Sequence, residues 1–258
     1  MSPSLLPELF DLVIDQLHDD PATLKTCCIV SRSCVLQARR HLFAHVEFSA
    51  LRSDLEVWKK TFTDPSNSPA RHTRNLFIHG APAITSADTG ADGWIQTFHN
   101  VTHLGLMRLN RASLISFHGL SPTLRSLSLT LITAEVFDLV CSFPLLEDLE
   151  LIALYPESDA DRSSTPPVSP KLTGSLRLHT PDTIRPITRS LLDLPDGLHF
   201  SKINASCSEE GTGSVVDLVS RCCDTLESLT IDYVPSSAFP LVPVTCQYLT
   251  AACGHRRT

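Results

Sequence analysis

Aromatic side chains are scarce: 6% of 258 residues, with eleven Phe, three Tyr and two Trp. Leucine, valine and isoleucine must therefore fill most of any interior. No apolar run approaches the roughly 18 residues that a bilayer span needs. The start, Met1-Ser2-Pro3-Ser4, lacks the basic region and apolar core of a secretory signal. Positive charge is not in excess: 21 Lys+Arg stand against 28 Asp+Glu, a formal net charge of −7, so broad electrostatic attraction to nucleic acid or anionic membrane is excluded. The nine cysteines are odd in number and include the neighbours Cys27-Cys28 and Cys222-Cys223. Without a regular framework they point to free thiols in a reducing compartment, hence to a cytoplasmic or nuclear, intracellular chain.

Catalytic grammar is missing as well. There is no Cys-x-x-Cys pair, no Gly-x-Ser-x-Gly elbow and no glutamate completing a His-Glu-x-x-His motif. His41/His45 and His99/His103 have a four-residue spacing that could grip zinc, but satisfied or surface histidines are the simpler reading. Gly211-Thr212-Gly213 lacks the rest of a phosphate loop and reads as a connection before a helix. Glu147, Asp148 and Glu150 are adjacent, yet strand alternation separates Glu147 from the other two. The chain thus reads as a non-enzyme with no metal and no cofactor.

What is present is ordinary globular composition, 42% hydrophobic and 19% charged, arranged in two grammars. The first occupies residues 3–48 and reads as three short helices. Pro7 suits a first helical position and Glu8 the positive end of the dipole, followed by the stripe Leu9, Phe10, Val13, Ile14 and Leu17. Asp20-Pro21 is a second start signal, with Leu24, Cys27 and Cys28 on the apolar face behind it. Ser31 is placed to cap a third helix, with Val35, Ala38 and Leu42 on one side and Arg32, Arg39 and Arg40 in water. About 40 residues bury too little surface to be comfortably stable alone, so this module needs the following domain, a partner, or both.

The second grammar spans residues 70–235. An apolar-x-x-Leu-x-Leu unit recurs, cleanly at Leu124/Leu127/Leu129, Leu146/Leu149/Leu151 and Leu226/Leu229/Ile231. Its middle residues are Leu76, Leu104, Leu127, Leu149, Leu176, Ile203 and Leu229, with successive spacings of 28, 23, 22, 27, 27 and 26 residues. Val215, Leu218, Val219 and Cys222 form a helical stripe ahead of the last unit. Helix and strand alternating at this period imply parallel strands with outer helices, an α/β solenoid. Its core side takes the leucines and its concave side the residues between them. The segment 155–171, rich in Ser, Pro and Asp, is expected to be a mobile insertion. Residues 236–258 carry prolines and a basic end but no amphipathic helix, and are expected to be an irregular tail, either cut short or covered by a partner.

These residues carry two resemblances. Leu6-Pro7-Glu8-Leu9, Ile14, Leu17, Leu24 and Val30-Ser31-Arg32 resemble an F-box of the fungal type. The array resembles a leucine-rich-repeat domain, more loosely, because Leu109, Ile132, Leu154 and Val234 stand where the family places a buried asparagine. The F-box resemblance implies docking on the Skp-family adaptor of a cullin–RING (SCF) ubiquitin ligase, with the repeats binding a protein target. By position, Leu6, Pro7, Leu9, Ile14, Leu17, Leu24 and Val30 are the adaptor-binding or module-core residues. The concave residues Asp148, Glu150, Arg177, His179, Lys202 and Asn204 are the target-binding candidates. Neither nucleic acid nor membrane is an expected partner. One departure is Cys34, where family members often have tryptophan. Losing a large buried side chain costs about 3–5 kcal/mol when nothing repacks. An interaction scaffold with a degenerate F-box and no ligase role is therefore the alternative.

Overall fold

The computed structural model describes residues 7–49, 52, 54–64, 67–80, 94–109, 114, 117–118, 120, 122–131, 136–154, 170–179, 184–194, 197–233 and 244–247, with backbone alone at Pro7, Trp94 and 244–247. Helices α1 (Pro7–Asp15), α2 (Pro21–Val30) and α3 (Arg32–Leu42) lead directly into a nine-stranded sheet. The strands are β1 (His45–Ser49), β2 (Asn75–His79), β3 (His103–Met107), β4 (Ser126–Thr130), β5 (Asp148–Ile152), β6 (Ser175–His179), β7 (Lys202–Cys207), β8 (Ser228–Tyr233) and β9 (Val244–Gln247). They lie side by side in chain order. The first eight run parallel and β9 closes antiparallel on β8.

The register follows the leucine period. Val46, Leu76, Leu104, Leu127, Leu149, Leu176, Ile203 and Leu229 are opposite one another across all seven parallel pairings. A second column of Phe48, Ile78, Leu106, Leu129, Leu151, Leu178, Ala205 and Ile231 lies two residues further on. Both columns share one side of the sheet, as a strand period of two demands, and most of their members are buried in one continuous core. That core also takes Leu124 and Leu146, the first residues of their units.

Short helices occupy several connections: α4 (Asp54–Thr61) before β2, α5 (Phe137–Cys141) before β5, α6 (Ile184–Leu192) before β7 and α7 (Thr212–Arg221) before β8. A 3₁₀ turn, Trp94–Thr97, serves before β3. Helix α7 carries the expected stripe, burying Val215, Leu218 and Cys222. Leu109 and Leu154 are buried too, so apolar packing fills the places where an asparagine ladder would make hydrogen bonds.

Backbone hydrogen bonds repeat with the same period. Where strands begin, one carbonyl accepts two successive N–H groups of the next strand: Ala44 O from Arg74 and Asn75, Arg74 O from Thr102 and His103, Thr102 O from Arg125 and Ser126. The pattern recurs at Arg125, Gly174 and Ser201. Where strands end, Gly80, Arg108, Leu131 and Ala153 all have positive φ, at 82°, 56°, 52° and 47°. Each donates its N–H to the last carbonyl of the following strand, at Met107, Thr130, Ile152 and His179 respectively. Only the first of the four is glycine, so three side chains tolerate a conformation that disfavours Cβ.

The structure departs from the sequence expectations at several points. The sheet begins at His45, so the helical module ends near Leu42 rather than 48 and the array starts well before 70. Strand β1 (HVEFS) has no leucine and escaped the leucine period, although Val46 and Phe48 alternate inward. The tail expected to be irregular contributes β9, which covers what would be the open hydrogen-bonding edge of β8. Pro170, near the end of the expected insertion, is buried, while 155–169 lie outside the described residues. Ser31 makes no side-chain cap to α3; its hydroxyl pairs with that of Ser33 at 2.7 Å.

The repeated turn makes a prediction. Ala153→Gly should raise stability by about 0.5 kcal/mol, because relief of the left-handed strain outweighs the added unfolded-state freedom. Ala205→Gly, inside β7, should lower it by about 1 kcal/mol. Urea unfolding midpoints that shift in opposite directions would bear this out, and a loss of stability at both sites would refute it.

Candidate docking surface

The three N-terminal helices have a core of their own. Ile14, Leu24, Cys34 and Ala38 are buried together, with Leu17, Cys27, Cys28 and Leu42 half-buried against them. Every fully buried member is modest in size, so α2 and α3 approach closely. The Asp20 side chain caps α2, with Oδ1 accepting from Thr23 N at 3.0 Å and Oδ2 from Thr23 Oγ1 at 2.6 Å. Helix α1 is tied to α3 by Asp15, whose Oδ1 accepts from Gln37 Nε2 at 2.5 Å and lies 2.7 Å from His41 Nε2. An aromatic chain joins the module to the sheet. Phe43 packs edge-on against Trp58 of α4 and against Phe62, while Trp58 contacts Phe48 and Phe98 in the main core.

The small core leaves much apolar surface outside. Among the described residues, seven of the eleven large exposed hydrophobics belong to α1–α3: Leu9, Phe10, Leu12, Val13, Ile29, Val30 and Leu36. Ile29 and Val30 are 85% and 73% exposed. Scattered exposed leucines need no explanation, but this concentration in one short segment makes α1–α3 the candidate docking surface.

The structure thus divides the predicted adaptor residues. Leu9 and Val30 are on the outside. Ile14 and Leu24 are interior, since the α1 stripe turns only one edge to α2 and α3, and they support the surface without forming it. Leu17 is half-buried on the same core. Pro7 opens α1, while Leu6 lies outside the described residues. Leu12, Ile29 and Leu36 were not singled out from sequence. Leu12 is off the apolar stripe, and Ile29 and Leu36 have no periodic partner that would flag them. Cys34 is buried, so at this position the chain fills the interior with a thiol.

On the sheet, the six target-binding candidates share the face opposite the leucine columns, as alternation requires. Their chemistry is partly spent internally. Asp148 Oδ1 accepts from Ser175 N at 2.6 Å and from Ser175 Oγ at 2.7 Å. Glu150 accepts from Ser128 Oγ at 2.7 Å and faces Arg177 Nη1 at 3.5 Å. His179 Nδ1 meets Ser206 Oγ at 2.9 Å. Lys202 is exposed, and Asn204 has a buried Oδ1 with no hydrogen-bond partner. Further along this face His45 stacks on Phe77 at 5.1 Å, and the Phe77 ring covers Gly105 so closely that a Cβ there would sit 2.3 Å from it.

His41 and His45 fall on different elements, α3 and β1, and His99 and His103 on a turn and β3, so neither spacing forms a helical face. Among the described residues no three His, Cys, Asp or Glu side chains gather to hold a metal, and the cysteines with described side chains are free thiols. Burial pushes the Cys141 thiol up to about 11, with Asp138 adding to the shift. No described helix is long and apolar enough to cross a membrane. In comparisons with known proteins, no family model matches the chain and no curated sequence is significantly similar to it.

Asp15 gives this surface a pH signature. Hydrogen bonds from Gln37 first, and then from His41, hold its carboxyl below the ordinary 3.8. A depressed folded value means that the stabilisation is present above the unfolded carboxyl range and is lost as pH falls through the lowered value. Asp15→Asn should therefore lower the melting temperature at neutral pH, and wild-type and variant curves should converge in acid. Thermal melts followed by circular dichroism test this, and a gap that persists unchanged in acid would contradict it.

Proposed function

We propose that this chain is the substrate-recognition subunit of an SCF-type ubiquitin ligase. Helices α1–α3 act as an F-box that docks on a Skp-family adaptor. The strands and their connections act as an irregular leucine-rich-repeat-like solenoid whose open face receives a protein target. The chain would be non-catalytic and would work in the cytoplasm or nucleus, where cullin–RING ligases act. Chemistry is done elsewhere, and this subunit contributes proximity between the target's lysines and the charged enzyme.

One observation carries the reading: the apolar side chains left uncovered on the three helices, next to the Leu-Pro start and Val30-Ser31-Arg32 that resemble an F-box. Burying a group of leucine-sized side chains at about 1.5–3 kcal/mol each is ample for adaptor binding even after association costs. The repeating register and hydrogen bonds support the solenoid half. Cys34 favours a second reading, a scaffold whose module no longer engages a ligase, because a buried thiol offers less packing area than the tryptophan common in the family.

Co-purification of a tagged chain with a Skp-family adaptor separates the two. Wild type should retain the adaptor. Leu12→Asp with Val30→Asp should abolish retention while leaving the melting temperature near wild type, since both side chains are exposed. Ile14→Asp should instead melt the module. Failure of wild type to retain the adaptor, together with no rise of bound partners on proteasome inhibition, would leave the scaffold reading.

A further inference from the structure

Between α3 and the edge where the first strands begin lies a cleft of about 870 Å³. Arg40 and His41 of α3 form one wall; Arg71 and His72 of the 3₁₀ turn Pro69–His72, together with Arg74 and His99, form the other. Gln37, Asn100, Thr102 and Thr123 supply amide and hydroxyl groups around them, and no carboxylate lines the space. In a chain of net charge −7 this is a local inversion of sign.

Among the described residues none of the three guanidiniums forms a salt bridge, although Asp15, bonded to Gln37 and His41 behind the α3 wall, interacts with the charge of Arg40. Elsewhere arginines meet acids: Arg125 pairs with Glu147, Arg177 with Glu150 and Arg185 with Glu210. In the cleft, Arg40 Nη1 donates to the neutral Gln37 Oε1 at 3.0 Å and Arg71 Nε to His72 Nε2 at 3.3 Å. Among the described residues Arg71 and Arg74 form no salt bridge with an acid. Burial first, and the neighbouring Arg71, Arg40 and Arg39 next, hold the His72 imidazole below its ordinary value, which keeps it neutral and able to accept from Arg71. Like charges gathered with a single nearby carboxylate cost stability, and a ligand that brings more negative charge reduces that cost.

We propose that this cleft binds an acidic peptide segment of a partner protein, a run of Asp and Glu side chains laid between α3 and the sheet edge. Guanidinium groups match carboxylates two bonds at a time, and here they come from two places along the chain, Arg40 on α3 and the stretch bearing Arg71 and Arg74, which suits several spaced carboxylates. The intervening Gln37, Asn100 and Thr102 offer hydrogen bonds to an extended backbone. Among the described residues no Phe, Tyr or Trp lines the cleft, so the large stacking platform of a single-stranded nucleic-acid site is missing. The site is separate from the exposed apolar side chains of α1–α3 and from the open sheet face, and it does not depend on the ligase reading.

The test uses the full chain and a fluorescein-labelled twelve-residue peptide of alternating Asp and Glu, read by anisotropy. Saturable binding is expected, weakening as salt is raised, and about tenfold weaker for Arg40→Gln/Arg71→Gln/Arg74→Gln. The Asn/Gln counterpart of the peptide should not bind, and Leu12→Asp/Val30→Asp should bind like wild type even though it is expected to lose the adaptor. The salt dependence is measured on wild type, so it stands even if the triple variant melts early. Equal binding of the neutral peptide, no change in a folded triple variant, or tighter binding of an oligonucleotide or a singly phosphorylated peptide than of the acidic one would overturn the proposal.

Discussion

The column of middle residues from Val46 to Leu229 is the constraint on which the rest of this molecule depends. Parallel strands alternate faces with a period of two, so a register error of one residue would turn every leucine outward. Setting each middle residue opposite the next fixes the interior. By the same act it places Asp148, Glu150, Arg177 and Asn204 on the other side. The doubled hydrogen bonds at strand starts and the positive-φ turns at strand ends are consequences of that column, since a constant register lets the same backbone geometry recur at each step.

The helical module obeys a different limit. Four buried residues, none larger than leucine, make a core too small for three helices to hide their apolar side chains in. The module compensates through polar ties, Asp15 to Gln37 and His41, and by leaning on the sheet through Phe43 and Trp58. Neither contact covers Leu12, Ile29 or Val30. The apolar surface is thus a direct consequence of small interior side chains, and Cys34 belongs to that economy. A larger ring there would demand space that Ala38 and the close approach of α2 and α3 do not provide without repacking.

Legibility in the sequence followed periodicity. Seven middle residues of the array were readable because leucine recurs at a nearly constant interval, and all seven sit in register. Strand β1 was missed because valine and phenylalanine carry its inward positions, and β9 because Pro235, Pro240 and Pro243 precede it. In the module, helix starts were legible from Pro7 and from Asp20-Pro21, but not which edge of the α1 stripe faces inward. That depends on where α2 and α3 cross it, a tertiary fact that no local pattern encodes. The basic cleft was equally hidden, since Arg40, Arg71, Arg74 and His99 are spread over 60 residues of sequence and meet only because the start of β1 lies beside the starts of β2 and β3.

The two ends of the parallel run meet their exposed layers differently, and the difference bears on where partners attach. At the first strand, α4 and the Phe43–Trp58–Phe98 aromatic chain cover the column, and Val46 and Phe48 are buried. At the eighth, Leu229 and Ile231 are only half-buried although they occupy the same columns as fully buried leucines. Strand β9 pairs with β8 through backbone hydrogen bonds and so closes that edge of the sheet. The well-covered end is the one that bears the helical module and the basic cleft. On the proposed reading, a partner docked on the helices and a segment held in the cleft would both attach at this covered end rather than at the half-buried one.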